Sequence, residues 1–157
     1  MKRPLIIALA ATILLALVMW MLPTTPSVEP ADPDDALVES IVADIEAGSA
    51  NPMESILKLR AVAERNPDHR DAQFWLGKFS MMTGQWDNAV DRFQLALDAA
   101  PAMPETAILL SEALQKANNM HGAMEALRQF QETNPNLASE VEQALEQLLE
   151  ASDSQTL

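Results

Sequence analysis

The polarity pattern divides the chain in two. From Leu5 to Leu22 an apolar run of 18 residues has Thr12 as its one polar side chain. From residue 36 onward, apolar and polar positions follow the three- and four-residue spacing of amphipathic helices. Near the end, Val141, Ala144, Leu145, Leu148 and Leu149 make one stripe, and Glu140, Glu142, Gln143, Glu146, Gln147 and Glu150 fill the positions between. The pattern predicts helices over 36–47, 53–65, 70–83, 86–99, 104–117, 120–133 and 137–151. Only four glycines stand among many Ala, Leu, Met, Glu and Gln, so the expected fold class is all-α.

As a helix the first run rises about 27 Å, close to the ~30 Å hydrocarbon core of a bilayer. Lys2 and Arg3 precede it, and Glu29, Asp32, Asp34 and Asp35 follow. This charge order predicts a single transmembrane signal anchor over 1–22 in a cell inner membrane, with a cytoplasmic amino terminus and a periplasmic remainder. The run exceeds the roughly 7–15 apolar residues of a cleaved signal. It also ends in bulky Trp20-Met21-Leu22 rather than a small-x-small site, which favours the anchor. Pro23, Pro26, Pro30 and Pro33 then predict an extended acidic linker over 23–35. At the other end, residues 152–157 are expected to be a disordered tail.

The helical part repeats. Pro67, Pro101 and Pro135 stand 34 residues apart, and three further columns keep the same step: Ser55, Ala89 and Ala123; Leu59, Phe93 and Leu127; Val62, Ala96 and Phe130. In the middle unit, Leu76-Gly77, then Gly84, Ala89 and Phe93, then Pro101, resembles the tetratricopeptide repeat. Gln73 and Ser80 stand where that family has Trp and Tyr, and Val42-Ala43 and Leu110-Ser111 replace Leu-Gly in the outer units. The resemblance implies a right-handed α-solenoid of three helix pairs, about 36–69, 70–103 and 104–137, closed by a capping helix over 137–151. Gly77 and Ala89 are expected where paired helices approach closest. Gly84 is expected to end a helix with positive φ, and the prolines to halt each second helix.

In the family, the first helix of each pair lines a groove that binds protein segments. By that resemblance the groove positions are Asp71, Phe74, Lys78, Met81 and Met82 in the middle unit. They are Glu105, Ile108, Glu112, Gln115 and Lys116 in the third, and Leu37, Ser40, Asp44, Ala47 and Gly48 in the first. Phe74 and Trp75 are adjacent, some 100° apart on a helix. Phe74 is therefore expected on the groove, and Trp75 and Trp86 in the core or between pairs. The Lys and Asn positions with which some members clamp a terminal carboxylate are here Ser40, Asp44 and Glu105. The acidic groove therefore predicts basic or apolar partner segments.

Composition narrows the chemistry. Ten Lys plus Arg oppose 23 Asp plus Glu, a formal charge of −13, which argues against nucleic acid as a partner. No cysteine is present, which excludes a disulfide scaffold and thiol chemistry. His69 and His121 fall in predicted turns and are expected to be exposed, without ligand spacing to one another. The nine Met are expected to pack rather than bind copper. No phosphate loop or hydrolase motif occurs, so neither catalytic residues, metal nor cofactor are expected.

The sequence thus predicts a non-enzymatic, membrane-anchored adaptor that presents a groove to protein or peptide partners. Similarity to single-span periplasmic assembly factors for c-type cytochromes implies one alternative, the holding of apocytochrome for haem attachment. Self-association as a structural component of an envelope complex is the other.

Overall fold

The structure is a computed structural model that describes residues 33–49 and 51–154. The expected anchor at 5–22 and nearly all of the expected linker lie outside the described residues. Among the described residues no helix is long and apolar enough to cross a membrane. They form seven α-helices and no strand. In chain order these are α1 (Pro33–Glu46), α2 (Pro52–Arg65), α3 (Arg70–Met82), α4 (Trp86–Ala99), α5 (Pro104–Lys116), α6 (Met120–Thr133) and α7 (Ala138–Ser154). A single 3-10 turn, Pro135–Leu137, leads into α7.

Both ends of the helical unit reach beyond the sequence expectation. Pro33, Asp34 and Asp35, assigned above to the linker, form the first turn of α1. Proline tolerates the first helical position because its missing N–H would have no partner there, and two acids favour the positive end of the helix dipole. Asp34 also pairs with Arg65 at the end of α2. At the carboxyl end α7 runs through Ser154, so residues 152–154 are helical rather than a tail.

Each second helix stops for the same reason. Asn66, Ala100 and Asn134 each precede a proline, and clash with its ring disfavours the α conformation. Their ψ angles are accordingly 87°, 86° and 66°, while each N–H still bonds to the carbonyl four residues back. Within the pairs, the turns close through positive φ at Gly48 (67°), Gly84 (73°) and Asn118 (63°). Between α1 and α2 the helices end at Glu46 and resume at Pro52, whereas the second and third turns span only 83–85 and 117–119. The 34-residue step therefore breaks inside the first pair, and Ala47 and Gly48 lie in a turn instead of on the groove-lining helix.

Successive helices pack side by side, and α5 also touches α7. Their apolar faces merge into three clusters. Val38, Ile41, Leu59, Val62, Ala72 and Leu76 join α1, α2 and α3. Ala89, Phe93, Leu110 and Ala113 join α4 to α5, with Phe74 and Met81 of α3 against them. Ala107, Ala123, Leu127, Phe130, Val141 and Leu148 join α5, α6 and α7. The repeat columns Ala89, Phe93, Ala96, Ala123 and Leu127 are wholly buried, as helix-pair contacts demand. Gly77 of α3 lies directly against the Phe93 ring of α4.

Candidate functional site

The first helices of the three pairs line an open cavity of about 280 Å³. Val42 and Glu46 of α1 form one wall, and Glu105 and Thr106 of α5, with Met103 just before it, form the other. Between them α3 supplies Arg70, Asp71, Phe74, Trp75 and Lys78. Positions 71, 74, 75 and 78 face one way because steps of three and four residues return to the same side of a helix.

Phe74 and Trp75 both line this cavity, and Trp75 also packs against the core of the first pair, as expected of a ring between pairs. Their rings meet edge to face, with centroids 6.0 Å apart. A 100° offset separates the Cα–Cβ bonds, but the cavity is flanked on both sides and large rings span the difference. Phe74 leans toward the cluster around Phe93, at 6.1 Å between centroids, and Trp75 toward the cluster of the first pair. Each ring is half-buried, so each keeps surface for the cavity.

Charge is unevenly balanced there. Lys78 Nζ lies 4.5 Å from the Trp75 centroid and 5.2 Å from that of Phe74, within the range of cation–π attraction. The same nitrogen is 3.8 Å from Glu105 Oε1, a long ion pair. Arg70 donates to Asp71 at 2.7 Å and points its other nitrogen at the Met103 sulfur, 3.6 Å away. Thr106 is 1% exposed and its hydroxyl has no hydrogen-bond partner. Leaving such a group unmade costs roughly 1–3 kcal/mol.

The remaining groove positions do not gather here. Met81 packs into the middle cluster and Ile108 into the last one. Met82 is 79% exposed, Glu112 is exposed, and Gln115 is half-buried. Lys116 lines a separate cavity with Trp86, Gly84 and Asn118 at the turn end of the pairs. A larger cavity of about 500 Å³ opens between α2 and α4 on the side of the second helices. Its lining is mostly polar or charged, including Arg60, Asp91 and Arg92, and it has neither the ring pair nor an orphaned hydroxyl.

Two features escaped the sequence reading. Gln73, in the family's Trp position, is 1% exposed; it donates to the Pro67 carbonyl at 2.6 Å and accepts from Arg92 at 2.8 Å. One amide thereby ties α3 to the preceding turn and to α4. His69 is buried at 7% exposure rather than solvated. Its extended backbone swings the ring over α3, where Nδ1 accepts from the Ala72 N–H at 3.3 Å as the helix cap. Its Nε2 stands 3.1 Å from Asp35 Oδ1, close but not aligned as a hydrogen bond. His121 is exposed, and among the described residues no group of acids and histidines is placed to hold a metal.

Comparison with known proteins agrees with this architecture. Residues 81–148 match the family model for the tetratricopeptide repeat. No curated protein matches the sequence. Among solved structures, the type III secretion translocator chaperone SycD of Yersinia enterocolitica is similar with a TM-score of 0.64 at 16% identity, covering 80% of this chain and 89% of that one. The same chaperone in complex with a peptide of the translocator YopD gives 0.62 at 16% identity, over 78% and 97%. The MamA protein gives 0.62 at 16% identity, over 77% and 64%. At such identities the likeness speaks to the fold, which is a tetratricopeptide-like helical solenoid.

Proposed function

We propose that the chain is a non-catalytic adaptor that captures a protein segment in the cavity formed by α1, α3 and α5. One observation carries this reading: two half-buried aromatic rings, Phe74 and Trp75, line a cavity built by the first helices. Rings supply contact area at little entropic cost. The SycD complex with a translocator peptide supports the capture of peptides by this fold. The apolar run at 5–22 and its flanking charges support an inner-membrane anchor with the repeats in the periplasm.

The test is photo-crosslinking in intact cells. Crosslinkers at Glu46 and Glu105, both exposed on the cavity rim, are expected to trap a partner. Crosslinkers at exposed Lys58 and Glu125, away from it, are expected to trap none. Equal recovery from all four positions would dismiss the groove. Recovery of an exported apocytochrome would select the cytochrome assembly role, and recovery of a second copy would select self-association.

A further inference from the structure

We infer that the aromatic floor of this cavity is a subsite for an arginine side chain of the captured segment, and that Lys78 is its intramolecular stand-in. The inference rests on the peptide-capture reading and specifies the chemistry of its ligand. Lys78 Nζ sits over both rings yet reaches Glu105 only at 3.8 Å. The ring faces favour a cation without demanding this one. The side chain is 36% exposed, so it can rotate out to water without opening the fold.

The charge balance selects the sign of the visitor. Three carboxylates line the cavity, those of Glu46, Asp71 and Glu105. Arg70 holds Asp71 at 2.6 Å, which leaves Glu46 and Glu105 with Lys78 as the one remaining cation of the lining. Exchanging Lys78 for a visiting cation keeps that balance, while a visiting carboxylate would deepen the net negative charge. Between the two cationic side chains, the planar and weakly hydrated guanidinium stacks better on rings and can reach a carboxylate at the same time.

The experiment uses the full-length chain in detergent, with neutral Gly-Ser peptides that carry a single Arg, Lys or Glu. Binding is followed through the indole ¹H–¹⁵N signal of Trp75, with Trp86 as internal control because it lies on a different cavity. The Arg peptide is expected to shift Trp75 and not Trp86, and to bind more tightly than the Lys peptide. Lys78→Met keeps the aliphatic stem and removes the competing charge. It should tighten the Arg peptide by about two- to fivefold, the value of one exposed cation–π contact. Glu105→Gln should weaken it. Preference for the Glu peptide, lost in Lys78→Met, would overturn the inference by making Lys78 a carboxylate anchor, and so would Arg binding that ignores Lys78→Met. If no peptide shifts Trp75 while crosslinking from Glu46 and Glu105 persists, the arginine subsite fails and the adaptor reading stands. If the crosslinks are absent too, both fail.

Discussion

Phe93 closes over Gly77 so tightly that a Cβ at position 77 would stand 2.6 Å from ring atom Cε1. The ring is wholly buried, so any displacement must disturb its packed neighbours. Alanine would improve helix propensity by about 1 kcal/mol, but overpacking a core costs about 1–3 kcal/mol. Gly77→Ala is therefore expected to destabilise the fold by about 1 kcal/mol net in urea unfolding. Gly77→Ala with Phe93→Leu should cost clearly less than the sum of the single changes, since the shorter side chain admits the methyl. Strict additivity would mean that the two residues do not meet.

The Gln73 bridge makes a second commitment. Arg92→Met removes the donor to the Gln73 carbonyl and leaves a buried acceptor empty, at a cost of about 1–3 kcal/mol. Adding Gln73→Met should recover part of that loss, because no buried amide then lacks a partner. A double variant less stable than Arg92→Met by a full Gln73→Met increment would show that the bridge is not a unit.

How far these features could be read from the chain depends on what a repeat records. The 34-residue step reports which residues touch within and between helix pairs, so Gly77, Ala89, Phe93, Ala123 and Leu127 were legible. It locates Asp71, Phe74 and Lys78 on one face by the same logic. It is silent where the step breaks, and the longer separation between Glu46 and Pro52 hides the part played by Val42 and Glu46. Pairwise contacts such as Gln73 with Arg92, 19 residues apart, have no periodic signature. Trp75 packs between pairs as expected and also borders the cavity, because helical angle fixes the direction of Cβ, not where a large ring ends.

His69 caps α3 through its side chain. His69→Asn preserves a capping acceptor and is expected to leave the unfolding midpoint nearly unchanged. His69→Ala should cost about 1 kcal/mol, the usual loss when a cap is removed. If both variants behave alike, it is ring packing beside Asp35, rather than the cap, that matters at this position.

The last helix covers apolar surface. Val141 and Leu148 are buried against the cluster that holds Leu127 and Phe130. Ending the chain after Leu137 removes α7 and bares that cluster to water. The expected outcome is a loss of helical circular dichroism larger than α7 alone accounts for, with concentration-dependent association. A truncated chain that stays monomeric and melts at the original temperature would show that α7 is dispensable.

Three apolar clusters, each bridging neighbouring helix pairs, make loss of structure a graded event. Amide hydrogens in the terminal helices are expected to exchange first and those of α3 and α4 last, because each member of the stack leans on its neighbours. The cavity straddles that expected gradient. One wall belongs to the terminal helix α1, while the ring pair sits on the central helix α3. A ligand would therefore meet a firm footing and a yielding rim, and the rim should set its dwell time.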